Sequence, residues 1–189
     1  MDRRSLAQMS FVIVVVTVAL DQLTKWWAES ELDGGRIIEV LPTLEFDLAY
    51  NSGFSFGTGS GLGPWIGVIV IGMCGFLVWL IATAETRLRA VIAATILGGA
   101  IGNLIDRVFR AEDGFLSGEV VDFIDVTWYA VFNVADMFVV CGAIAFGVTE
   151  VLAGRQATAE AEATDSDDSL DELVADGTDP ADDAVETAD

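Results

Sequence analysis

The sequence predicts a membrane α-helical protein with four transmembrane helices and a small extracytoplasmic β element, its N- and C-termini cytoplasmic. Three observations predict this. The chain of 189 residues is 53% hydrophobic, with a mean hydropathy of +0.53. Its apolar residues concentrate in four runs, near 10–28, 64–84, 90–106 and 131–152, each long enough or nearly so for a hydrocarbon layer of about 30 Å, which takes about 20 residues. Basic residues precede run one (Arg3, Arg4), separate runs two and three (Arg87, Arg89) and follow run four (Arg155). By the positive-inside rule those places are cytoplasmic, and segments 29–63 and 107–130 lie outside.

The formal net charge of −21 needs a separate origin. Residues 156–189 hold 13 of the 30 acids and no Lys or Arg, which leaves −8 on the first 155 residues. Rich in Ala, Thr, Asp and Glu and without aromatics, this segment buries too little apolar surface to offset its chain entropy. It is predicted to be a disordered acidic cytoplasmic tail, after a membrane domain spanning 1–155.

Run one begins like a signal peptide, with Arg3 and Arg4 before Phe11–Leu20. It continues into Asp21, Lys25, Trp26 and Trp27 rather than a small-residue cleavage site, so it is read as a retained helix. Asp21 and Lys25 are four apart and share a helical face as an ion pair at the helix end. Trp26 and Trp27 suit the membrane interface. From Glu45 the pattern becomes period two, with Phe46, Leu48 and Tyr50 alternating against Glu45, Asp47 and Ala49, which predicts a half-buried strand. Asn51-Ser52-Gly53 supplies a turn, Phe54 and Phe56 resume the alternation, and a glycine-rich stretch follows from Gly57 to Gly63.

In run three, Gly98, Gly99 and Gly102 let another helix approach closely, and the run ends in Asn103, Asp106 and Arg107. The outer loop 108–130 carries Glu112, Asp113, Glu119, Asp122 and Asp125. Asp122 stands apart because Val120, Val121, Phe123 and Ile124 flank it, which suggests a segment packed back toward the membrane. Cys74 and Cys141 lie in membrane runs far apart and the chain has no His, so neither a disulfide nor a metal site is expected, and no cofactor.

The chemistry resides in acids near apolar sequence. Ionisable groups are costly at bilayer depth and point to function. Asn103-Leu104-Ile105-Asp106 and Asn133-Val134-Ala135-Asp136 each put an amide and a carboxyl on one helical face. Two carboxyl groups held together share one proton, so one acts as base on a water while the other serves the carbonyl under attack. That is peptide hydrolysis without a metal or a Ser or Cys nucleophile. On spacing alone Asp106, Asp122 and Asp136 are equally available for such a pair, and structural acids, a proton path or an ion site remain open.

Five segments, in order, resemble the lipoprotein signal peptidases, or signal peptidase II, bacterial membrane aspartyl proteases. They are Asp21-Gln22-Leu23-Thr24-Lys25, Asn51-Ser52-Gly53-Phe54-Ser55-Phe56, Gly98 through Arg107, Val120-Val121-Asp122-Phe123-Ile124-Asp125 and Phe132-Asn133-Val134-Ala135-Asp136. The resemblance covers roughly residues 10–152. It implies that Asp122 and Asp136 are the catalytic pair, that Asn103 and Asn133 line the site, that Arg107 contacts substrate or its lipid-bearing region, and that Asn51 and Gly53 belong to a strand cradling substrate. Asp21, Lys25 and Asp106 match supporting positions, with Asp106 expected to pair with Arg107 or a loop amide.

The implied substrates are the signal peptides of diacylglyceryl-modified prolipoproteins, cut just before the lipid-bearing Cys. The enzyme would sit in the bacterial inner (cytoplasmic) membrane with its active site toward the extracytoplasmic side, in contact with membrane lipid, as a monomer and without a nucleic-acid partner. Two departures stand out. Phe54 takes the place of a small residue, and the stretch from Arg107 to Asp122 is longer, and that from Asp125 to Asn133 shorter, than the family pattern.

Overall fold

The computed structural model describes residues 2–53, 63–111 and 114–176. Phe54, Ser55, Phe56, most of the glycine-rich stretch, Glu112 and Asp113 lie outside the described residues. Four helices form: α1 (Arg3–Leu32), α2 (Gly63–Thr83), α3 (Arg87–Phe109) and α4 (Val134–Asp176). Each contains a span long and apolar enough to cross a membrane, matching the four predicted runs. Large apolar side chains such as Phe11, Leu23, Trp65, Ile69 and Ile144 face outward on them, as expected where lipid is the solvent.

Two compact units divide the chain, Met1–Phe146 and Gly147–Asp189. In the second, α4 continues as helix to Asp176, past Arg155, where composition predicts disorder. Ala and Glu between 157 and 163 are strong helix formers, and extending a helix already nucleated upstream avoids the unfavourable first turn.

In the first unit α3 is the central element, packed against α1 and α2. Its glycines make this possible. A side chain at Gly98 would collide with Thr17 of α1, and one at Gly99 with the backbone oxygen of Ala135 in α4. Near the other end of the helices, Arg3 donates to the Ala82 carbonyl at 3.1 Å, so the start of α1 meets the end of α2. Thr86 caps α3 by accepting from the Arg89 N–H.

At the opposite end lies an antiparallel sheet of β1 (Ile38–Leu41), β2 (Leu44–Asn51) and β3 (Val120–Val126), in that order. The apolar-flanked segment around Asp122 is therefore a strand, and β2 pairs with β1 on one side and β3 on the other. Trp27 of α1 packs edge-on against Phe46 and Phe123, with centroids 5.3 and 6.1 Å apart, which seats the sheet on the helix. Trp26 is exposed, so of the two indoles predicted at the membrane interface Trp27 instead turns into the sheet.

The β2–β3 pairing contains one irregularity. Phe46 lies opposite Ile124, yet Ala49 lies opposite Asp122, so β2 carries one extra residue between them. Such a bulge exchanges the two faces of the strand beyond it. Ala49 and Asn51 therefore take the register that an uninterrupted alternation gives to Leu48 and Tyr50, and Tyr50 is exposed.

Candidate active site

Asn133 immediately precedes α4 and caps it. Its Oδ1 accepts from the Asp136 N–H at 3.0 Å, while Asp136 Oδ2 accepts from the Asn133 N–H at 3.3 Å. This is the reciprocal capping box, with Asn and Asp in place of the usual Ser or Thr and Glu, and it fixes the Asp136 carboxylate in the first helical turn.

The Asn133 side-chain nitrogen donates to Asp122 Oδ1 at 2.7 Å and to Asn103 Oδ1 at 3.1 Å. Asn133 is fully buried, and one residue thus bridges the two carboxylates. Asp122 Oδ2 accepts from Asn51 Nδ2 at 3.0 Å, a bond made available by the bulge in β2. Asp136 Oδ1 accepts from Asn103 Nδ2 at 2.8 Å. Burial, followed by the nearby Asp136 charge, pushes the Asp122 pKa up to about 6.

Behind the pair sits a second polar cluster, centred on Lys25. Its Nζ donates to Asp21 Oδ2 at 2.9 Å, Asp106 Oδ2 at 2.8 Å and Asn103 Oδ1 at 2.8 Å, satisfying all three ammonium hydrogens. Lys25, Asp21 and Asp106 are all buried. Each acid then reaches the backbone beside a catalytic candidate: Asp21 Oδ1 accepts from the Ala135 N–H at 3.0 Å, and Asp106 Oδ2 from the Val121 N–H at 3.3 Å. The cluster holds β3 next to Asp122 and the first turn of α4 next to Asp136.

The expected ion pair of Asp21 and Lys25 is present, but α1 runs on to Leu32, so it lies within the helix rather than at its end. The expectation for Asp106 needs correction in part. It accepts a backbone amide, Val121, but its charged partners are Lys25 and Arg110, not Arg107. Arg107 instead donates Nη2 to the Gly53 carbonyl at 3.2 Å, and its buried Nη1 has no hydrogen-bond partner among the described residues. The Gly53 N–H in turn donates to Asn51 Oδ1 at 3.0 Å, the turn predicted for Asn51-Ser52-Gly53.

All ten candidates thus lie in one connected constellation. Sequence reasoning did not single out Gln22, whose amide donates to Asp21, Asp106 and the Gly102 carbonyl. Nor did it find Arg110, which binds Glu29 through two nitrogens and Asp106 through Nε. A polar residue next to Asp21 in an apolar run, and a cation four residues after Asp106, were the available signals.

This polar constellation, built from α1, α3, the start of α4 and the small sheet, can be compared with known proteins. The model of the signal peptidase (SPase) II family matches residues 13–152. The chain belongs to the signal peptidase II family. It is 43% identical over 134 residues to the lipoprotein signal peptidase of Bifidobacterium adolescentis, covering 70% of this chain and 71% of that protein. To the lipoprotein signal peptidase of Rhodococcus jostii it is 38% identical over 135 residues, covering 71% and 68%. A solved structure described as a bacterial membrane enzyme superposes with a TM-score of 0.65 at 29% identity, covering 76% of this chain and 88% of that one. A second, described likewise, gives 0.63 at 29% identity, covering 75% and 92%. This signal peptidase II family member is accordingly a multi-pass membrane enzyme, a protease.

Proposed function

We propose that this protein is the aspartyl endopeptidase that removes signal peptides from diacylglyceryl-modified prolipoproteins, cleaving just before the lipid-bearing Cys, with Asp122 and Asp136 activating water. The observation that carries this is Asn133, bonded through its side chain to Asp122 and through a reciprocal cap to Asp136. Each carboxyl group accepts two hydrogen bonds, and a carboxylate has about four acceptor sites, so each keeps capacity for water or substrate.

The pair holds one proton, since two adjacent carboxylates, one buried and one partly buried, do not both ionise cheaply. The ionised member takes a proton from water as its oxygen attacks the scissile carbonyl carbon, and the protonated member gives its proton to the carbonyl oxygen. Collapse of the resulting diol breaks the C–N bond, with one carboxyl returning a proton to the leaving amine. The products are the free carboxyl end of the signal peptide and the free amine of the lipid-bearing Cys. Arg107 Nη1, a buried donor with no hydrogen-bond partner among the described residues, binds a substrate carbonyl and holds the peptide in register.

Arg3, Arg4, Arg87 and Arg89 lie at the end opposite the sheet, which the positive-inside rule assigns to the cytoplasm. The site then opens on the extracytoplasmic side of the bacterial inner membrane, where a lipid-anchored peptide presents its scissile bond. The enzyme acts there as a monomer. Purified protein in detergent, given a diacylglyceryl-modified lipobox peptide, is expected to cleave it, and Asp122→Asn and Asp136→Asn to abolish cleavage while remaining folded. Full activity in both variants would overturn the assignment.

A further inference from the structure

A cavity of about 570 Å³ opens beside Asp122. It is lined by Ala49 to Ser52 at the end of β2, by Asp122 and Asp125, and, in the turn that follows β3, by Thr127 and Tyr129 to Val131. None of the lining residues belongs to a membrane helix. The lining mixes polar side chains, among them Asn51, Ser52, Thr127 and two carboxylic acids, with Ala49, Ala130 and Val131, and it contains no cation among the described residues.

The two halves of a lipoprotein precursor differ in what they need. The signal helix and the acyl chains are apolar and stay in hydrocarbon, whereas the chain after the modified Cys must leave for water. A cavity built from sheet and turn, outside the membrane helices and with polar side chains and a catalytic candidate in its lining, suits the second half. From these placements we infer that the cavity is the subsite for the mature portion of the substrate, and that Asp125 makes it favour a basic side chain over an acidic one. The inference rests on the proposed peptidase function.

Distance sets the position read. Asp125 lies three residues along β3 from Asp122, roughly 10 Å at the rise of a strand. An extended peptide covers that in about three residues. The side chain reaching Asp125 is therefore the third or fourth of the mature chain, counting the modified Cys as the first. A like charge facing Asp125 in a partly enclosed site is opposed by repulsion, and an unlike one is drawn to it.

Three diacylglyceryl lipobox peptides, identical except for Ser, Lys or Glu at the third and fourth mature positions, test this with purified protein in detergent. Wild type should cleave the Lys peptide with at least about tenfold higher kcat/KM than the Glu peptide, a ratio equivalent to about 1.4 kcal/mol. Asp125→Asn should bring the ratio near one, and Asp125→Lys should invert it. Thr127→Lys, on an exposed lining residue, should shift it in the same direction. Cleavage of the Ser peptide by each protein shows that it is folded and active and is the reference for its Lys-to-Glu ratio. An unchanged ratio in both lysine variants, each still cutting the Ser peptide, overturns the subsite alone. Failure of folded wild type to cut any peptide overturns the peptidase reading and the subsite with it.

Discussion

Lys25→Met is the most informative perturbation of the buried cluster. The substitution keeps the length of the side chain and removes the ammonium that donates to Asp21, Asp106 and Asn103. Both carboxylates then remain buried without their main cation. Hydrogen bonds to charged groups contribute about 1.5–3 kcal/mol each, and breaking a buried ion pair by deleting one partner costs about 3–5 kcal/mol. We expect a loss of about 4 kcal/mol, a large part of the usual 5–15 kcal/mol of a folded domain. The activity should fall on the order of 100-fold, because Asn103 loses the partner that holds it against Asp136 and reacting groups tolerate little misplacement. Adding Asp21→Asn and Asp106→Asn should restore roughly half the stability, about 2 kcal/mol, since each Asn keeps an oxygen for the Ala135 or Val121 N–H. Unfolding by SDS titration in mixed micelles, followed by tryptophan fluorescence, measures all of these. A Lys25→Met cost below about 1 kcal/mol, or a triple variant no more stable than the single one, would refute the view that one cation holds both acids.

Other predictions concern packing, capping and pH. At Gly102 a Cβ would lie 2.9 Å from Asp21 Cγ, whereas at Gly72 it meets nothing within 4 Å. Gly102→Ala should therefore destabilise by about 1–3 kcal/mol and Gly72→Ala should not; equal thermal midpoints for the two would count against the packing account. Asn133→Ala removes both the α4 cap, about 1 kcal/mol, and the link between the acids, so peptide cleavage should fall at least about 100-fold; a variant losing stability but not rate would show that the bridge is only a cap. With Asp122 raised to about 6, kcat/KM should fall about tenfold per pH unit above that value as the pair loses its proton, while kcat holds to higher pH because bound substrate excludes water. A kcat/KM that still climbs from pH 6 to 8 would contradict this. The same shift stabilises the fold fully below pH 3.8, and that stabilisation is lost as pH rises through about 6, a decline of up to about 3 kcal/mol visible in pH-dependent unfolding.

The helices were legible in the sequence because hydrocarbon imposes one requirement, about 20 apolar residues in a row. The Asn133 and Asp136 spacing was equally legible, since a capping box is local. What was hidden is long-range. Nothing between Leu44 and Asn51 reveals which residue is the extra one, so period two put Tyr50 on the face that Asn51 occupies relative to Asp122. The partner of Asp106 was missed because Lys25 is distant in the chain and Arg107 adjacent, and only the packing of α1 on α3 decides between them. For the segment from Gln156 to Asp176, composition weighed solvation and overlooked helix propagation from upstream.

The spacing of Asp21 and Lys25 also bears on the order of synthesis. Asn103, which completes the bonding of Lys25, lies 78 residues later. At 5–20 residues per second it emerges roughly 4–16 s after the lysine. During that interval the first span has no other helix to supply a counter-charge, and an isolated ammonium in lipid is costly. Because Asp21 is four residues before Lys25 on the same helix, the span enters the membrane already neutralised, and α3 later docks on a pair that the nascent chain assembled for itself.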